Sequence, residues 1–388
     1  MKDRSAVDAV LREAVASGAV AGVVAMASDA EGTVYEGAFG RRGTADDRPM
    51  TADTVFWIAS MTKAITGAAC MQLVEQGRIG LDDDCGRIVP ALARPKVLDG
   101  FDAEGEPRLR PARGHITLRR LLTHTAGFVY DMWNENMRDW TKHTGLSRIR
   151  TFQDPADCAP LGFDPGTKWE YGLNIDWAGK VLEALTGDPI DVYTHEHVCA
   201  PLGMNSTGYV LRPEVEARLA GMHRRRSDGT LEPMQFRPPQ VAGEFLGGGG
   251  LYGTAGDYMR FARMILRKGE LDGVRVLAPE TVELMGRNHI GDLDVRPLPT
   301  AVPETSNPVD FLPGIRKKWG FTFLINMEDV PGRRKAGSLS WAGLRNTYYW
   351  IDPRSGIAGT IMTQVTPFAD PKILALYEAF ERSVYRSL

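Results

Sequence analysis

Ser60 and Lys63 stand three residues apart in Ile58-Ala59-Ser60-Met61-Thr62-Lys63, at the mouth of a long apolar stretch. That spacing is close to one helical turn, so both side chains face the same way. A serine hydroxyl is a weak nucleophile until a neighbour takes its proton. An amine can take it when desolvation, a nearby cation or a helix N-terminus holds that amine neutral. The pair therefore has the makings of a nucleophile and its base. Ser-x-x-Lys alone is a common pattern, and most examples are surface residues of helices. This one runs into Ala64 to Leu73, small or apolar on nearly every side, which reads as a buried helix rather than a surface one. A lysine on the first turn of a buried helix needs a reason to be there, and a functional site is the leading one. No other Ser-x-x-Lys occurs in the sequence.

Other chemistries find less support. Among seven histidines, His195-Glu196-His197 comes nearest to a metal-binding pattern, but His-Glu-x-x-His is absent and no third ligand is evident, so no metal is expected. The four cysteines, Cys70, Cys85, Cys158 and Cys199, show no Cys-x-x-Cys spacing and read as reduced core residues. No Gly-x-Ser-x-Gly occurs, which argues against a nucleophile elbow.

The elements that must position the pair belong to a chain of 388 residues, 43% hydrophobic, with a formal net charge of -3. That is enough for a large core in two domains, and the charge balance gives no sign of nucleic acid as a partner. Asp8 and Glu13 interrupt the N-terminal segment where a signal peptide would be apolar, and no stretch approaches a membrane span, so a cytoplasmic protein is expected. Two apolar runs between Val20 and Phe39 flank Asp29-Ala30-Glu31-Gly32, the signature of a β-hairpin. Helices are expected from Ala6 to Ala16 and from Ser60 to Gln76, the second stopped by Gly77. Near the C-terminus, Ala336 to Ser340, Asn346 to Ile351 and Ile357 to Thr363 read as strands and Pro371 to Tyr385 as a closing helix. Both ends of the chain should share one antiparallel sheet. Residues 82–244 read as an all-helical insertion, with helices at Leu118 to Leu122, Asn174 to Leu185 and Pro189 to Val198. Arg212 to Glu244 and Asn288 to Lys318 read as long loops.

Phe163-Asp164-Pro165-Gly166-Thr167-Lys168-Trp169-Glu170-Tyr171 adds a further candidate, since a Pro-Gly turn delivers Tyr171 to a helix start. With this segment the chain resembles the serine hydrolases related to class C β-lactamases and penicillin-binding proteins, and most closely the family VIII carboxylesterases. The resemblance spans nearly the whole chain. It rests on Ser60-Met61-Thr62-Lys63, Leu121-Leu122-Thr123-His124-Thr125-Ala126-Gly127, Pro165-Gly166 before Tyr171, Pro201-Leu202-Gly203-Met204, and Gly247-Gly248-Gly249-Gly250-Leu251.

The resemblance implies an α/β protein of the α+β type with a β-lactamase-like fold: residues 1–81 and 245–388 as a sheet domain, 82–244 as a helical domain, and the active site in the cleft between. It implies Ser60 as acyl-accepting nucleophile and Lys63 with Tyr171 as the proton-handling pair, without saying which of the two is the base. Trp341-Ala342-Gly343 is placed on a strand opposite the serine, so that the backbone N–H groups of Ser60 and Leu344 form the oxyanion hole. Two departures from the β-lactamase pattern stand out. Tyr-x-Asn is Tyr171-Gly172-Leu173 here, and Lys-Thr-Gly is Trp341-Ala342-Gly343. Loss of that asparagine and that lysine suits a neutral ester better than a β-lactam. Trp341, whose indole can pack against an apolar acyl or alcohol group, is a substrate-binding candidate with Ala342 and Gly343; Tyr130, Trp133 and Phe245 are further candidates to line a pocket, each equally suited to packing, and His124 is left out as a structural loop histidine. The expectation is thus a carboxylesterase of short neutral esters that works through an acyl-enzyme on Ser60 without cofactor, its substrate a small-molecule ester and its oligomeric state open. Alternatives are an acyltransferase, a weak β-lactamase or peptidase on the same fold, and, from a different class, a binding protein.

Overall fold

The first hairpin forms where the paired apolar runs place it, as β1 (Gly22–Ser28) and β2 (Thr33–Gly43). Its turn is held by Asp29, whose carboxylate accepts from the backbone N–H groups of Glu31 and Gly32 at 2.8 Å each. In this computed structural model, which describes residues 4–146, 150–153, 158–238, 240–241 and 243–388, β3 (Asp46–Pro49) continues the meander. Five further strands come from the C-terminal part: β4 (Lys317–Trp319), β5 (Leu324–Asn326), β6 (Leu339–Gly343), β7 (Thr347–Asp352) and β8 (Ile357–Met362). The sheet runs β4-β5-β6-β7-β8-β1-β2-β3 with neighbours antiparallel, and Val24 of β1 pairs with Met362 of β8. Both ends of the chain do share one sheet. β6 starts later than the Ala336 expected, because Gly337 turns the backbone at φ +85. The shift places Trp341, Ala342 and Gly343 inside the strand.

Helix α1 (Ser5–Ala16) buries Val7, Leu11 and Ala14 along one stripe and lies on β1 and β2. Helix α2 (Thr62–Glu75) is buried without a break from Thr62 to Leu73, as a cylinder apolar on all sides requires. It packs against α5 (Asn174–Thr186), which, with α3 (Leu118–Leu122) and α4 (Glu135–Thr144), belongs to the central part of the chain. Helix α6 (Ala255–Leu266) lies on β1, β7 and β8, and α7 (Pro371–Arg386) packs on α1. Residues 82–244 are not all helical. Lys96–Phe101 pairs with Pro107–Pro111, and Met222–Arg225 pairs with Leu231–Met234 inside the segment read as a loop from Arg212 to Glu244. Prolines at 107, 111 and 233 hide the alternation of these strands. Pro239 and Ala242 of that loop lie outside the described residues.

Candidate active site

The chain enters the site along Phe56–Trp57, paired with Tyr252–Gly253, and the Ile58 N–H donates to the Leu251 carbonyl at 3.0 Å. Ala59 then adopts φ +45, left-handed geometry that costs a non-glycine residue about 1 to 2 kcal/mol. One 3-10 turn, Ala59–Met61, follows before α2 begins at Thr62, two residues later than expected. This tight corner leaves Ser60 half-buried between fully buried neighbours.

Lys63, only 1% exposed, stands on the first turn of α2. Its Nζ lies 3.1 Å from Ser60 Oγ and 3.2 Å from the Tyr130 hydroxyl, and it makes a short hydrogen bond to the Gly248 carbonyl. Three oxygens thus meet the three donors an ammonium carries, and that arrangement makes the burial of the charge tolerable. The same geometry serves a neutral amine, whose lone pair would face the serine proton. Nζ also stands 4.9 Å from the centre of the Tyr171 ring, within cation–π range.

The glycine run is shaped by close approach. Gly247 accepts from Thr66 Oγ1 at 2.7 Å, and the Gly248 N–H donates to Asp176 Oδ1 at 2.8 Å. A Cβ on Gly248 would sit 2.5 Å from that carboxylate oxygen. Only glycine lets the Gly248 carbonyl reach Lys63 here. A helix cap follows: Thr254 Oγ1 accepts from the Asp257 N–H at the start of α6.

Tyr171 arrives as the Pro-Gly turn predicts, with Gly166 at φ +88 and Thr167 N–H closing on the Asp164 carbonyl. Its hydroxyl accepts from Trp341 Nε1 at 2.8 Å. His124, left out of the site on sequence grounds, packs tilted against the Tyr171 ring, with the ring centres 4.5 Å apart. Its Nδ1 faces Gly172 N–H at 3.3 Å and Asn174 Nδ2 at 3.1 Å, and its carbonyl accepts from Glu170 N–H. Burial, reinforced by the Lys63 cation, pushes the imidazole pKa well below its usual value and keeps the ring neutral. His124 therefore clamps the backbone on both sides of Tyr171. The Leu121 to Gly127 motif was the only sequence signal for it.

Residues 7–382 match the Beta-lactamase family. The chain belongs to that family. The monacolin J acid methylbutanoyltransferase of Aspergillus terreus is 34% identical over 97% of this chain and 94% of its own length. The lovastatin esterase of Penicillium rubens is 30% identical over 98% of both chains. Among solved structures, unliganded simvastatin synthase from Aspergillus terreus superposes with a TM-score of 0.83 at 33% identity, covering 98% of this chain and 97% of the other. Together these make the chain an acyl-transferring serine hydrolase of the β-lactamase fold.

Within this β-lactamase frame the departures acquire physical reasons. A Cβ at Gly172 would lie 2.0 Å from the Phe128 carbonyl. Asn174, one place beyond the Tyr-x-Asn pattern, is fully buried and donates to the Phe128 carbonyl at 2.7 Å, so its amide serves the fold. Trp341, expected to pack against substrate, is 6% exposed and wedged against Tyr171, Trp319 and Phe311, and its N–H is spent on Tyr171. It supports the tyrosine from beneath. Ala342 is buried beside it, and a Cβ on Gly343 would lie 2.2 Å from the Ile58 carbonyl, so the end of β6 runs backbone to backbone along the serine turn. Half-buried Leu344 follows at that edge.

The remaining pocket candidates divide. Tyr130 joins Lys63 directly. Trp133 touches the rings of Tyr130 and Tyr171 and donates to Ser306 Oγ at 3.0 Å. It also bounds a cavity of about 960 Å³, shared with Trp169, Glu170 and Leu298, that neither Ser60 nor Lys63 lines. Phe245 is buried against Tyr209. His195 and His197 lie on a π-helical turn, His197 against Tyr193, and no group of three metal-ligating side chains comes together among the described residues. Among the same residues, no helix is long and apolar enough to cross a membrane.

Proposed function

We propose that this protein takes an acyl group from an ester onto Ser60 and hands it to an acceptor alcohol, with water as a competing acceptor. The observation that carries the reading is the buried Lys63 amine 3.1 Å from a half-exposed serine hydroxyl, with a tyrosine hydroxyl 3.2 Å away on its other side. In the first half-reaction, Ser60 Oγ attacks the ester carbonyl and its proton passes to the Lys63, Tyr130 and Tyr171 unit. The backbone N–H groups of Ser60 and Leu344 hold the oxyanion, and the departing alcohol collects the proton as the C–O bond breaks. In the second, the acceptor alcohol yields its proton to the same unit and attacks the acyl-Ser60 carbonyl; the bond from the acyl carbon to Oγ breaks, and Oγ takes the proton back from the unit.

The relatives support an order for the two acceptors. The transferase of Aspergillus terreus, at 34% identity, favours transfer, whereas the sequence reading put hydrolysis first. Hydrolysis stays as the second reading, because a lovastatin esterase matches at 30% over 98% of both chains. Incubation with an activated butyrate ester and increasing 1-butanol tests this. The transferase reading expects butyl butyrate to overtake butyrate at millimolar alcohol, and butyrate alone at every alcohol concentration would leave an esterase.

A further inference from the structure

Arg345 follows Leu344 in the turn from β6 to β7, where Gly343 pairs with Thr347 and Asn346 closes the turn at φ +60. Its carbonyl is pinned by Thr363 Oγ1 at 3.3 Å and the Val365 N–H at 3.2 Å. Its side chain lies over two rings, Cζ 5.2 Å from the centre of Trp57 and 4.8 Å from that of Phe236. Only 7% of the residue is exposed. Among the described residues its guanidinium makes no hydrogen bond and no ion pair, and Nε is buried without a partner. Among the described residues, the other two arginines buried to this degree, Arg333 and Arg334, both meet the Glu381 carboxylate. Burial with no counter-charge lowers the Arg345 pKa to about 10.

Cation–π contact offsets part of that cost, but leaves five donors unused. Trp57 stands two residues before the turn that carries Ser60, and Leu344, which supplies the proposed oxyanion amide, directly precedes Arg345, so the cation bridges from one segment onto the other. Trp57 and Phe236, the two rings that hold the guanidinium, also bound a cavity of about 300 Å³ together with Gln364. We propose that Arg345 is a specificity residue that receives a carboxylate carried by the substrate, paired fork to fork with its guanidinium. This rests on the acyl-transfer reading above. It departs from the expectation of neutral esters, which followed from the missing asparagine and the missing strand lysine.

Two matched pairs test it. In one the acyl part carries the charge: 4-nitrophenyl hydrogen glutarate against 4-nitrophenyl valerate. In the other the alcohol part does: 3-acetoxybenzoate against 3-acetoxybenzamide. In at least one pair kcat/KM should favour the anion by about tenfold or more, as charge-assisted hydrogen bonding implies. Arg345→Gln should bring that ratio to within about twofold of one, and Arg345→Lys should keep part of it. A wild-type ratio at or below one in both pairs, or a ratio that survives Arg345→Gln, overturns the proposal. If the variants do not fold, wild-type inhibition decides: 3-carboxyphenylboronic acid should bind more tightly than phenylboronic acid, and equal inhibition counts against Arg345. Turnover of neutral esters without anion preference would remove this proposal alone. No turnover of any ester and no labelling of Ser60 would remove the acyl-enzyme reading and this proposal with it.

Discussion

Trp341 Nε1 donates to the Tyr171 hydroxyl at 2.8 Å, and this one bond ties a strand of the central sheet to the segment that opens α5. Trp341→Phe keeps most of the packing and removes the donor. A buried neutral hydrogen bond is worth about 0.5 to 1.5 kcal/mol net, so kcat should fall by up to about tenfold with little change in KM. Steady-state kinetics of the variant check this, and a rise in KM with kcat intact would instead make Trp341 a substrate contact.

Lys63, Tyr130 and Tyr171 act as a unit in this account, so their losses should not multiply. Lys63→Ala should lower the acylation rate by about two to four orders of magnitude. Adding Tyr130→Phe to it should cost little more, because one missing member already disables the unit. Stopped-flow acylation of the single and double variants supplies the test. Independent, multiplying losses would mean that Tyr130 has a separate task.

Gly343→Ala should be poorly tolerated. The added carbon would meet the Ile58 backbone carbonyl at 2.2 Å and the Thr347 side-chain hydroxyl at 2.3 Å. Overpacking of this kind costs about 1 to 3 kcal/mol and would push the end of β6 away from the serine turn. Thermal denaturation should show lower stability, and activity should fall further than stability does. A variant with wild-type kcat would show that the approach has no bearing on the oxyanion hole.

His124 makes stability depend on pH. Its imidazole pKa is held well below 6.5 in the folded state, so the unfolded chain binds the proton first as pH drops. The stabilisation is complete above the ordinary histidine pKa and is lost as pH falls below about 6.5. His223 and His289 shift the same way and add to the slope. Melting temperatures between pH 8 and pH 5 should fall less steeply in His124→Gln than in the wild type. Parallel curves would mean that His124 takes up its proton as readily in the fold as in the unfolded chain.

The contact between Ser60 and Lys63 was legible because its signal is local: a spacing of three and an apolar helix around it. Tyr171 was legible from its Pro-Gly turn once joined to the resemblance. Tyr130 was named only as a pocket residue, since its bond to Lys63 spans 67 positions of sequence and depends on how α2 meets the loop after α3. The hairpins in residues 82–244 were hidden by their prolines. Trp341 was assigned to substrate because sequence cannot show which side of a strand its indole N–H will find a partner. Arg345 was invisible for the opposite reason, since an arginine is notable only when folding leaves it without a carboxylate.

The central claim is that a covalent acyl group on Ser60 lies on the path to product. Rapid quench of the enzyme with 4-nitrophenyl butyrate, followed by peptide mass spectrometry, tests it most directly. The account predicts a butyryl mass on the peptide containing Ser60, formed within the first turnover, cleared faster as acceptor alcohol is added, and absent from Ser60→Ala. Acylation of a different residue, or steady turnover by Ser60→Ala, would contradict it.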